Sequence, residues 1–100
     1  MRAFRRKASA PPPEPDPATL PVVTLYRRPG CPLCDQAEAV MAPLARRIRF
    51  RVEAVDIEQD DALLKRYVFE IPVVAYEGRD VAAWPFTAER LEDALGPLLA

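Results

Sequence analysis

Apolar positions along this chain recur with two alternating periods. Val22 to Tyr26 is an unbroken apolar and β-branched run, the pattern of a buried strand. From Pro32 to about Arg46 the period lengthens to that of a helix. Leu33, Ala37, Val40, Met41 and Leu44 share one face, and Asp35 and Glu38 sit in the early turns, where the helix dipole favours acids. Pro43 removes one backbone hydrogen bond and is expected to kink or end this helix near Ala42. Arg49 to Asp56 alternates, with Phe50, Val52, Ala54 and Val55 apolar, and reads as a second strand. Asp60 suits the N-cap of a short helix from Asp61 to about Tyr67, with Leu63, Leu64 and Tyr67 turned inward. Val68 stands where a glycine would ordinarily end that helix, so either it ends another way or Val68 is strained.

The second half continues the alternation. Ile71 to Tyr76 reads as a third strand opened by Pro72, Glu77-Gly78 as a tight hairpin turn, and Asp80 to Trp84 as a short fourth strand. Thr87 caps a last helix with the apolar stripe Leu91, Ala94, Leu95, Leu98 and Leu99. Phe86 and Leu91 are spaced as a hydrophobic staple, and Pro97 is expected to bend or fray the end. The order β-α-β-α-β-β-α predicts an α/β fold. Its first two strands are parallel through a right-handed crossover and its last two form a hairpin, giving a four-stranded mixed sheet with helices on both faces.

Residues 1–20 break this pattern. Arg2, Arg5, Arg6 and Lys7 lead into a stretch where six of the twelve prolines fall between Pro11 and Pro21. Such a run favours polyproline II and cannot bury a core, so it reads as a disordered basic, Pro-rich tail ahead of one folded domain over 21–100. Taking the tail's four basic and two acidic residues from the chain's fourteen and fifteen leaves ten and thirteen, a net charge of −3. Nothing here pulls toward nucleic acid or an anionic membrane. No apolar run approaches the roughly 20 residues of a membrane span, and no apolar core follows the basic N-terminus as in a secretory signal.

The chain's two cysteines, Cys31 and Cys34, lie where the first strand stops and the first helix starts. Two thiols this close cannot staple a fold, which fits a reducing cytoplasm, although periplasmic oxidoreductases also carry a lone C-x-x-C. At the helix N-cap, unpaired backbone N–H groups would point at the Cys31 sulfur, and such settings lower a cysteine pKa from about 8.5 to roughly 3.5–7.5. Pro32 at the first helical position loses no hydrogen bond, and Arg27 and Arg28 add positive charge nearby. Cys34, three residues on, lies beside Cys31 on the same helix face, within the Cα separation of roughly 4.4–6.8 Å that a disulfide demands.

Arg28-Pro29-Gly30-Cys31-Pro32-Leu33-Cys34 after the first strand, Ile71-Pro72 about forty residues later, and the element order together resemble the thioredoxin superfamily, most of all its glutaredoxin-like proteins. The resemblance covers Pro21 to the C-terminus and implies a thioredoxin-like three-layer sandwich. It implies a thiol-disulfide oxidoreductase with Cys31 as nucleophile and Cys34 as resolving thiol, and a substrate surface holding Ile71, Pro72, Arg28 and Leu33. It also implies a cis Ile71–Pro72 peptide, which would keep a backbone N–H away from the sulfurs and leave the Ile71 main chain free to pair with a bound peptide or glutathione. Two features depart from the family pattern. Ala82-Ala83-Trp84-Pro85-Phe86-Thr87 stands where glutaredoxins commonly carry Gly-Gly and an acid, and Leu33 stands where many have Tyr.

The expected activity is reduction of protein or small-molecule disulfides by a monomer with no tightly bound cofactor or metal. Glutathione stays open as co-substrate, and either glutathione or a flavoprotein reductase as electron donor. A redox-responsive binding module without turnover is the alternative. Zinc needs four ligands, which two cysteines and no histidine supply only across a dimer. A glutathione-bridged iron–sulfur dimer belongs with single-cysteine relatives. Tyr67 and Trp84 read as packing residues, and Glu53, Asp56 and Glu58 as solvated.

Overall fold

A computed structural model describes residues 19–100, and the expected tail lies almost wholly outside the described residues. The elements are β1 (Val22–Arg27), α1 (Pro32–Ile48), β2 (Arg51–Asp56), α2 (Asp61–Tyr67), β3 (Val73–Tyr76), β4 (Arg79–Ala83) and α3 (Ala88–Leu99), with a 3₁₀ turn at Ile57–Gln59. The sheet order is β2-β1-β3-β4. β1 runs parallel to β2, with Val22 opposite Arg51, and antiparallel to β3, with Tyr26 opposite Val73. β3 and β4 form the expected hairpin. Glu77 (φ 49°) and Gly78 (φ 80°) both take the left-handed conformation that a two-residue turn of this hand needs.

Two apolar clusters build the layers. On one face Ala37, Met41 and Leu44 of α1 and Leu91 and Leu95 of α3 pack on Val23, Leu25 and Val74. Phe86 and Leu91 share this cluster, as a staple requires, and Thr87 Oγ1 accepts from the Arg90 N–H at 3.1 Å. The other cluster gathers Tyr67 of α2, Val73 of β3 and Ile57 of the 3₁₀ turn, with Tyr26 of β1 against them. The result is the three-layer α/β sandwich with a four-stranded mixed sheet and three helices.

Several boundaries differ from the sequence reading. Pro43 does not end α1, which continues to Ile48. Pro43 and Ala39, whose carbonyl lost its partner, both lie on the exposed face, while buried Cys34, Ala37, Met41 and Leu44 hold the helix to the sheet. Pro97 likewise sits on an exposed face and α3 runs past it to Leu99. Arg49 is not in β2. It is the left-handed cap of α1 (φ 67°), and its N–H bonds the Ala45 carbonyl; this turns the chain so that Phe50 is buried before β2 begins. β2 is an edge strand, and its Ala54 is exposed. β3 begins at Val73, two residues after Ile71. Val68 is right-handed (φ −55°) and unstrained: α2 unwinds through a turn in which Glu70 and Ile71 both donate to the Tyr67 carbonyl, at 2.8 and 3.0 Å. Among the described residues no helix is long and apolar enough to cross a membrane.

Candidate functional site

All the chemistry-bearing segments leave the sheet at one end. β1 ends at Arg27 and releases the cysteine loop. β2 ends beside it at Asp56, where the 3₁₀ turn starts. β3, antiparallel to β1, begins at this end, so Ile71 and Pro72 are brought to the level of the cysteine loop. β4 returns there too, and the Trp84 N–H donates to the Pro72 carbonyl at 3.0 Å. The Ile71–Pro72 peptide is cis, as the resemblance implies, and so is Trp84–Pro85.

The loop sets Cys31 at the N-cap of α1. Gly30 takes φ +68°, a conformation glycine adopts without the penalty of a Cβ, and Cys31 follows in extended geometry (φ −111°, ψ 101°). Pro32 occupies the first helical position. Cys31 Sγ accepts a hydrogen bond from the Cys34 N–H at 3.2 Å, and the Asp35 N–H donates to the Cys31 carbonyl at 3.1 Å. The sulfur therefore receives one of the otherwise unpaired donors of the first turn. Cys31 and Cys34 form a disulfide with their Cα atoms 5.2 Å apart. Cys31 is half-buried and Cys34 has no exposed surface, so Cys31 is the partly accessible member of the pair and Cys34 lies in the core.

The surrounding charges are arranged differently from the sequence reading, in which Arg27 and Arg28 were a positive field for the thiol. Arg27 reaches from the end of β1 to two acids of α1, bonding Asp35 Oδ1 at 2.9 Å and also Glu38 Oε1. Its side chain is only 17% exposed. Burial works against its charge, but the hydrogen bonds and proximity of Asp35 and Glu38 outweigh that and raise its pKa above the ordinary arginine value. Arg28 pairs with Glu58 of the 3₁₀ turn at 2.6 Å. Glu58 is exposed, as expected, and is also a partner of the cysteine loop, while Asp56 caps the turn by accepting from the Glu58 N–H at 2.8 Å.

The remaining expected site residues fall into place unevenly. Leu33 is 47% exposed beside Cys31. Pro72 is fully buried and Ile71 partly so. The Ile71 main chain is not wholly free as expected, because its N–H is bonded to Tyr67. The sequence reading passed over Phe69, which is 97% exposed in the turn just before Ile71. A lone phenylalanine between Val68 and Glu70 gives no periodic signal, and only the turn geometry throws it outward. Tyr67 anchors that turn. Its ring stacks on Tyr26 (centroids 4.4 Å apart, planes 17° apart), and its hydroxyl donates to Asp80 Oδ1 at 2.7 Å. No cluster of three or more histidine, cysteine or acidic side chains suited to a metal ion occurs among the described residues.

Comparison with known proteins agrees with this geometry. The protein XcR50 from X. campestris is 39% identical in its crystal structure (TM-score 0.65), covering 75% of this chain and 96% of that one. Protein Ne2328 from Nitrosomonas europaea (23% identity, TM-score 0.68, 81% of this chain and 93% of that) and the thioredoxin-like protein BC3987 (24%, 0.50, 74% and 94%) share the fold. Residues 22–96 match the sequence model of the glutaredoxin-like domain (DUF836), a span that runs from the first residue of β1 into the last turns of α3 and takes in both cysteines. With its fold, its cysteine pair and its 39% identical relative in agreement, the chain belongs to the glutaredoxin-like domain family and has a thioredoxin-like fold.

Proposed function

We propose that this protein is a dithiol oxidoreductase that reduces disulfides through Cys31 and Cys34. The observation that carries the reading is the asymmetry of the pair: a half-buried cysteine at the α1 N-cap, its sulfur hydrogen-bonded by a main-chain N–H, joined to a cysteine with no exposed surface. The outer sulfur can meet a substrate and the inner one can meet only its neighbour. In the reduced protein the Cys31 thiolate attacks one sulfur of a substrate disulfide. A bond forms between Cys31 and that sulfur, the substrate's S–S bond breaks, and the departing sulfur takes a proton. Cys34, as thiolate, then attacks Cys31 Sγ, forming the intramolecular disulfide and expelling the second substrate sulfur as a thiol. Two electrons have passed from the dithiol to the substrate. A thiol reductant, glutathione or a reductase dithiol, reopens the pair by the same exchange in reverse.

Leu33 and Arg28 beside the loop, with the partly buried Ile71 across it, form the substrate surface in this reading, and the fully buried Pro72 backs it from beneath. The Ile71 N–H is already used, so an incoming main chain would pair with its carbonyl. Two observations favour a protein disulfide over a small charged thiol: Leu33 and Phe69 expose apolar surface, and Arg27 and Arg28 are each matched by carboxylates. The cytoplasm, where a reductant is at hand, is the compartment this chemistry fits.

The test is disulfide reduction by the wild type and two variants. Cys31→Ser should abolish turnover, and Cys34→Ser should accumulate a mixed disulfide through Cys31, visible by mass spectrometry. Full activity in both variants would refute the mechanism. Binding of partner proteins with no turnover in the wild type would favour a redox-responsive binding module.

A further inference from the structure

We propose that Arg27 is a positioning residue that sets the acidity of the Cys31 thiol by cancelling the two carboxylates that share its helix stripe. This rests on the dithiol reading above and adds how its nucleophile is tuned. Cys31, Asp35 and Glu38 occupy positions i, i+4 and i+7 along the start of α1, and the bond from the Asp35 N–H to the Cys31 carbonyl shows the first two stacked one turn apart. At about 1.5 Å rise per residue, the backbone positions of Asp35 and Glu38 lie about 6 and 10 Å along the axis from that of Cys31. Unopposed, their carboxylates would work against the N-terminal dipole and the Cys34 N–H, both of which favour the thiolate.

Arg27 opposes them. It leaves β1 four residues before Cys31 and bonds both acids at once, and its side chain, 17% exposed, lies between the sheet end and α1 and not out in solvent. Asp35 and Glu38 are more open, at 71% and 43%. Among the described residues the other charges at this end of the sheet include Arg28 and Glu58, bonded to each other, Asp56 opposite Arg27 at the end of β2, and Glu70 in the turn before Ile71. All of these are untouched in the variants below and drop out of the comparison. A unit charge at about 6 Å in surroundings near water's dielectric changes a thiol pKa by about half a unit, and somewhat more where the protein excludes water.

The experiment measures iodoacetamide alkylation of the reduced protein against pH, with the modified residue assigned to Cys31 by mass spectrometry and folding checked by circular dichroism. Arg27→Gln should move the alkylation midpoint up by about half a unit to one unit. Asp35→Asn with Glu38→Gln, Arg27 retained, should move it down, and the triple variant should return it close to the wild-type midpoint. Raised salt should shrink each shift. An unchanged or lowered midpoint in Arg27→Gln overturns the proposal, as does a triple variant that stays high, since Arg27 would then act on the sulfur directly. If Arg27→Gln fails to fold, the double variant decides: an unchanged or raised midpoint refutes. Alkylation needs no substrate, so a wild type that titrates as expected but reduces no disulfide overturns the oxidoreductase reading alone.

Discussion

Replacing Tyr67 by Phe removes one oxygen from the side of the sheet opposite α1 and should change how stability depends on pH. The Tyr67 residue is 3% exposed, and its hydroxyl donates to the Asp80 carboxylate at 2.7 Å. Burial first, then the hydrogen bond and charge of Asp80, push the phenol from its ordinary 10 up to about 12, against the opposing effect of Arg66. The folded pKa lies above the unfolded one, so the folded protein holds this proton more tightly. The resulting stability is complete below pH 10 and is lost as pH rises through 12. For a difference of this size, the loss between pH 9 and pH 11 is about 1 kcal/mol. Urea unfolding of both proteins across that range should therefore show the wild type losing about 1 kcal/mol more than Tyr67→Phe. At pH 7 the variant should be less stable by about 1–2 kcal/mol, near the low end for a bond to a charged group, because Asp80 keeps Arg66 as a partner at 3.2 Å. Pale differences are not expected to hide in the stacking, which Phe retains against Tyr26. Parallel pH curves for the two proteins would refute the reasoning.

Other outcomes are expected from the same structure. Leu25→Ala, at a fully buried position of the interior strand β1, should lower unfolding free energy by about 2–5 kcal/mol in urea titration, with the spread set by how far the core closes in. Gly30→Ala meets no atom within 4 Å of the added Cβ but inherits φ +68°, so its effect should be backbone strain alone, about 1–2 kcal/mol by thermal or chemical melting. Phe69→Ser, at a 97% exposed side chain, should leave stability within about 0.5 kcal/mol while raising KM for protein disulfides in the reduction assay. The exposed Arg47–Glu92 pair, at 2.8 Å, raises the arginine pKa and lowers that of Glu92 chiefly through their hydrogen bonds. Any stability it gives should vanish on acidification through the Glu92 range and in high salt, which melts of Arg47→Ala at two pH values and two salt concentrations would show.

The order of elements and the placement of Cys31 at a helix N-cap were legible in the chain, because each rests on local rules. Periodicity marks strands and helices, Asp60 and Thr87 cap by reaching donors two or three residues away, and Cys31-Pro32 starts a helix for the same reason. The prolines misled where local rules yield to packing. Pro43 lies on an exposed face of α1, and the buried stripe on the opposite face carries the helix past it. The charges of the site were beyond local reading altogether. Arg27 meets Glu38 eleven residues away and Arg28 meets Glu58 thirty residues away only because β1, α1 and the 3₁₀ turn converge at one end of the sheet. A sequence states which residues carry charge and which repeat, since those are properties of each residue and its neighbours. Which charges cancel, which sulfur faces outward and which phenylalanine is left uncovered depend on segments distant in the chain, and the packing of the sheet decided them.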